Sequence, residues 1–116
     1  MDAKLYTTMV SLREHIKLLH FQTTKYSVHK ASDTFLSRYD ELFDKFWEVS
    51  QSNKYRILLS GSTNITLCNT RSYDDLQPLL QGVTEQLQSV TDLALAAIRD
   101  EILGEISQFS YLMTFV

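Results

Sequence analysis

One cysteine, one proline and three glycines among 116 residues give this chain few covalent ties and few breakers. A lone Cys68 permits no internal disulfide and fits a reducing compartment. Scarce Pro and Gly argue for long regular elements and few turns, so an all-α fold is expected. Basic runs and tails are missing, and the formal net charge is −3. Phosphate binding draws on clustered Lys and Arg, so nucleic acid is not the expected partner. No apolar run approaches the roughly 20 residues that span a bilayer, and no signal peptide opens the chain. The expectation is a soluble cytoplasmic protein of one domain, residues 1–116, whose 44% hydrophobic content suffices for a core. Internal repeats and low-complexity tracts are also absent.

The strongest pattern lies in residues 28–50. Val28, Ala31, Phe35, Tyr39, Leu42, Phe46 and Val49 recur every three or four residues, which makes one apolar helical stripe. About 140° round the same wheel sit His29, Asp33, Leu36, Asp40, Phe43, Asp44 and Trp47. A solvated face is normally charged throughout, whereas this one mixes carboxylates and an imidazole with Leu, Phe and Trp. Its simplest cover is a second copy of the chain. The plainer reading is a solvated acidic face with incidental aromatics.

Spacing adds a constraint. His29 and Asp33 are one turn apart, and Asp44 and Glu48 form a similar pair at the other end. At 1.5 Å rise per residue, His29 and Glu48 are roughly 28 Å apart, too far for one ion on one helix. Two copies crossing antiparallel about a two-fold near Arg38 and Tyr39 bring His29 and Asp33 of one to Asp44 and Glu48 of the other. Imidazole with several carboxylates suits iron, manganese or zinc. Carboxylates shut into an interface without a cation or donor would cost several kcal/mol each.

The rest of the chain reads as three further helices. Residues 2–24 form the first, with Leu5, Met9, Leu12, Ile16, Leu19 and Thr23 inward. His15 and His20 lie beside that stripe, where a histidine is usually a packed or capping residue. His20 stands apart because a short turn brings it near the His29 end of the next helix, for which Ser27 is the expected N-cap. Residues 51–72 are a long connection broken by Gly61, Ser62 and Asn64, with 55–59 either helical or extended. Cys68 within it reads as an inert small residue. A third helix is expected from Tyr73 to Gln88, with Pro78 tolerated in its first turn and kinking it further inside. Ser89 with Asp92 reads as a capping pair for a fourth helix, about 91–114, whose stripe is Leu95, Ile98, Ile102, Ile106, Phe109 and Met113. Asp100, Glu101 and Glu105 occupy its other faces.

Four amphipathic helices with a long middle connection match the ferritin-like four-helix bundle, in which a crossover joins helices 2 and 3. The residues sharpen this. Leu19-His20-Phe21, followed by His29, three residues, Asp33, ten residues, Asp44, three residues, Glu48, resembles the Dps-type miniferritin pattern. LLHFQTTKYSVHKA and DLALAAIRDEILGEISQFSYLMTF are also similar to short ferritin-like proteins of phages and large viruses, which would place the chain in a host cytoplasm. The resemblance implies a metal set of His20, His29, Asp33, Asp44 and Glu48 between two subunits. It further implies a ferroxidase oxidising Fe(II) with peroxide or oxygen, for iron detoxification or storage. Departures are a shorter His20–His29 gap, a shorter chain and no Lys-rich tail, which point to metal binding without a cage or DNA protection. Two alternatives stand beside it. One is a metal-free helical dimer acting as a scaffold or adaptor, its acidic face bonded to Arg38, Lys45 or Tyr of the partner. The other is a site within one subunit, built from His20, Asp100 and Glu101.

Overall fold

The computed structural model describes residues 3–52 and 55–116, and among these it has four α-helices, one short 3-10 turn and no strand. They are α1 (Ala3–Gln22), α2 (Tyr26–Ser52), α3 (Tyr73–Gln88) and α4 (Leu93–Leu112), with the 3-10 turn at Met113–Phe115. All four expected helices are present, and the fold is all-α. Asp2, the expected start of the first helix, lies outside the described residues, as do Asn53 and Lys54 of the expected connection.

Helix ends depart from the sequence expectation for local reasons. α1 stops at Gln22 because Thr23 Oγ1 accepts from the Lys25 N–H (3.1 Å), a side-chain turn that competes with further helix. α2 starts at Tyr26, so Ser27 sits inside its first turn and is not the N-cap. Ser89 and Asp92 belong to the ends of different helices. Ser89 closes α3, its hydroxyl donating to Gln86 O (2.7 Å), while Asp92 caps α4 by accepting from the Ala94 N–H (2.8 Å). Pro78 is the sixth residue of α3, past the first turn, and the helix continues through it to Gln88. Residues 55–59 are not helical, and Gly61 supplies the positive φ (76°) that turns the chain.

Contacts fix the direction of each helix. Arg13 meets Asp40 and His20 meets His29, so α1 and α2 are antiparallel. Arg38 reaches Gln108 and the Phe35 ring packs on Phe109, so α2 and α4 are antiparallel as well. Gln22 holds the Thr70 N–H (2.6 Å) just before α3, and Gln86 near its end donates to Thr8 (3.1 Å), which sets α3 antiparallel to α1. α2 and α3 therefore point the same way. The helix-free residues 55–71 carry the chain back, and near their end they lie on α1, where the Cys68 N–H donates to His15 Nε2 (3.1 Å).

α2 lies between α1 and α4, and this explains its two apolar rows. Val28, Phe35, Tyr39 and Phe46 are buried, as the first stripe predicted. The second row is where the sequence reading fails. Leu36 and Trp47 are buried inside this one chain, and Phe43 packs against Tyr6 (5.5 Å between centroids) and Tyr39 (6.1 Å). Tyr6 of α1 covers Phe43 and Trp47, and Leu36 is buried within the same core, so no second copy is needed for them. Trp47 stacks edge-on to Tyr6 and Phe46, while its indole N–H is buried without a partner among the described residues.

Tyr39, fully buried, donates its hydroxyl to Met9 O (2.7 Å) and pins α2 to α1. Burial first, and then the charge of Asp40, pushes this phenol far above the ordinary tyrosine range. An unfolded tyrosine ionises near pH 10. The fold keeps a proton there that the unfolded chain loses, so this contribution is complete below about pH 10 and falls as pH rises further. Tyr39→Phe should cost about 1 kcal/mol at neutral pH and flatten that alkaline decline, as read from urea unfolding at several pH values.

Candidate metal centre

The α1–α2 turn builds a clasp of two imidazoles. His20 Nδ1 donates to His29 O (2.9 Å), and His29 Nδ1 donates to His20 O (2.8 Å). The rings stack with centroids 3.8 Å apart and planes 20° from parallel. A carbonyl can only accept, so both Nδ1 atoms carry hydrogen, and Nε2 is the position of each ring left to other partners. No described residue takes either Nε2. Ser32, fully buried, hydrogen-bonds both His29 O (3.0 Å) and His20 Nδ1 (3.2 Å), tightening the clasp. A backbone-anchored Nδ1 with Nε2 directed elsewhere is how proteins orient metal-ligating histidines. His20 itself is only 8% exposed.

His15 is the opposite case. Its Nδ1 donates to Ser11 O (2.7 Å) and its Nε2 accepts from Cys68, so both nitrogens are used and it is a packed residue.

Along α2 the carboxylates Asp33, Asp40, Asp44 and Glu48 share one side of the helix, at about 100° per residue. Asp40 is bound by Arg13 of α1 in a forked pair, Nε to Oδ1 and Nη2 to Oδ2, both 3.3 Å. That contact holds the guanidinium still more firmly protonated. Asp33, Asp44 and Glu48 are exposed, and no ion pair or hydrogen bond ties their carboxylates to a described residue. A cleft of about 380 Å³ opens beside Asp44, lined also by Val10, Arg13, Glu14, Asp40 and Phe43. Arg13→Gln should lower stability by less than about 1 kcal/mol in thermal unfolding, because the pair is half-exposed.

Within one chain the five expected ligands separate into two places. His20, His29 and Asp33 lie at the turn end of α2, and Asp44 and Glu48 lie near its other end. Among the described residues no three His, Cys, Asp or Glu side chains come together to hold an ion. The alternative site of His20, Asp100 and Glu101 fails on direction. α4 runs antiparallel to α2 with Glu105 beside Arg38 (3.6 Å), so Glu101 lies a further turn away from His20. Asp100 is bonded to Arg99 (3.0 Å).

Sequence reasoning missed two features. Arg13 neutralises the middle carboxylate from another helix, and nothing in local spacing announces that. Ser32, buried behind the imidazoles, had a signal in being a small polar residue three positions after His29.

A family model described as a family of unknown function, DUF5856, matches residues 20–113, so the chain belongs to that family. Neither a curated protein nor a solved structure matches it.

Proposed function

We propose that this chain is a ferritin-like four-helix bundle whose residues 55–71 form the crossover between α2 and α3, and that it binds iron between two copies related by a two-fold. Parallel α2 and α3 at opposite ends of a long helix-free connection support the fold reading. The observation that carries the functional reading is the clasp: two imidazoles held at Nδ1 by backbone carbonyls, at one end of an α2 row of three carboxylates, with neither Nε2 nor those carboxylates partnered among the described residues.

In this reading His20, His29 and Asp33 of one subunit and Asp44 and Glu48 of the second hold ferrous iron as substrate. Nitrogen and carboxylate donors together fit Fe(II), and they also fit Mn(II) or Zn(II). Asp44 and Glu48 anchor the ion, and the carboxylates then favour the more highly charged ferric product. The rings stack nearly parallel, so their in-plane Nε2 lone pairs do not meet at one point, and one imidazole turns out of the stack as the ion binds. Arg13 keeps Asp40 out of the ligand set and lowers the repulsion within the row. Two ferrous ions each give one electron to peroxide, which takes two protons and leaves as two waters.

The test is stopped-flow oxidation of Fe(II) by peroxide with and without the protein, alongside elemental analysis of the purified chain. Faster oxidation with retained iron supports the reading. The buffer rate with no bound metal overturns it and leaves the metal-free scaffold; bound zinc without oxidation leaves a structural metal site.

A further inference from the structure

We infer that the second copy is recruited by the metal itself, so that this chain is a monomer when metal-free and a dimer when loaded. The inference rests on the two-copy site proposed above.

Three observations lead to it. The first is polarity. Lys25, Lys30 and Arg38 against Asp33 give residues 25–38 a formal charge of +2, whereas Lys45 against Asp40, Glu41, Asp44 and Glu48 gives residues 39–52 a charge of −3. On the side left to a partner the first half is neutral, Lys30 against Asp33, and the second carries Glu41, Asp44 and Glu48. An antiparallel second copy is the occupant this polarity fits, because it sets each acidic half against the other's neutral, imidazole-bearing half and not acid against acid.

The second is what that face lacks. Leu36 and Trp47, which would have given an interface its apolar centre, are buried within the chain. The side left to a partner presents Lys30, Asp33, Ser37, Glu41, Asp44 and Glu48, all exposed. Stable dimers that form by burial alone have apolar, well-packed centres, and this face has none.

The third is register. The crossing that sets His29 against Glu48 of the second copy also sets Asp33 against its Asp44, twice per dimer. Two carboxylates facing each other repel, and a divalent cation between them turns that repulsion into shared ligation. The unlike ends therefore favour the antiparallel register, the facing aspartates oppose closure, and the ion decides the balance. Because only the dimer completes the site, binding and association are linked. At a metal concentration 100 times the site Kd, each of the two sites tightens dimerisation about 100-fold, on the order of 10,000-fold together.

The experiment is sedimentation equilibrium of the full chain at low micromolar concentration, first with EDTA and then, after its removal, with Mn2+, a redox-quiet probe. Equilibrium dialysis measures the Mn2+ bound. The expected result is a monomer in EDTA and a dimer binding two Mn2+ when loaded, with an Asp44→Asn variant folded but monomeric in both. A dimer of equal strength in EDTA that still takes up Mn2+ overturns the linkage and leaves the metal reading standing. A monomer that binds Mn2+ without associating overturns the linkage and the two-copy site together. No Mn2+ or Fe2+ bound under any condition overturns the metal reading itself.

Discussion

Replacing Glu48 or Asp44 by Ala should each slow protein-dependent Fe(II) oxidation by at least about 100-fold while the helical fold survives. Both side chains are exposed and bonded to no described residue, so their loss should change stability by no more than about 0.5 kcal/mol. Groups that merely orient a metal ligand are worth 10- to 100-fold in affinity or activity, and a ligand itself is worth at least as much. The contrast with Asp40 is the internal control. Asp40 stands in the same row but is already held by Arg13, so Asp40→Asn should leave oxidation within a few-fold of the parent. Oxidation rates with circular dichroism of each variant decide this. Unchanged oxidation in Glu48→Ala and Asp44→Ala would sink the ligand assignment.

The largest effect on stability is expected at Phe46. It is 0% exposed, sits at the α2 end of the core and packs edge-on against Trp47 (5.1 Å between centroids). Phe46→Ala removes the buried ring and leaves a cavity that helices on both sides of α2 cannot fill without moving. The expected cost is about 3–5 kcal/mol, or roughly 12–20 °C in Tm at about 4 °C per kcal/mol for a chain of this size. Phe115 provides the comparison: it is 70% exposed, and Phe115→Ala should shift Tm by only a degree or two. Thermal unfolding followed by circular dichroism separates the two cases. Equal shifts would mean that α2 is not the central element of the core.

Helix existence was legible because periodicity reports burial directly. Leu95, Ile98, Ile102, Ile106, Phe109 and Met113 are all buried, as their spacing predicted. Helix ends were less legible, since a hydroxyl such as Thr23 or Ser89 can cap, turn or terminate, and only the three-dimensional path chooses among these. The mixed face of α2 misled for a related reason. One helical wheel cannot tell a row that meets a partner molecule from a row that meets the previous helix, and here α1 takes Phe43 and Trp47 through Tyr6, while Leu36 is buried in the chain's own core. What remains of that face is its charge. The candidate site was legible as two half-sites: the His29–Asp33 and Asp44–Glu48 spacings follow from the sequence alone. Reciprocal anchoring of His20 and His29 was not legible, because a nine-residue separation across a turn does not specify which ring nitrogen meets which carbonyl. Arg13 on Asp40 was hidden for the same reason, being a contact between helices 27 residues apart in the chain.

Complementation between two inactive variants addresses the shared site most directly. His29→Ala and Glu48→Ala chains, each inactive alone, are mixed in equal amounts with Mn2+ to re-equilibrate subunits, exchanged into Fe(II), and assayed for oxidation. Donors contributed in trans restore one of the two sites in every mixed dimer, and only the mixed dimer has a site for the ion to close, so the mixture should recover between about a quarter and a half of the parent rate. A mixture no faster than its separate components would contradict a centre assembled from opposite ends of two copies.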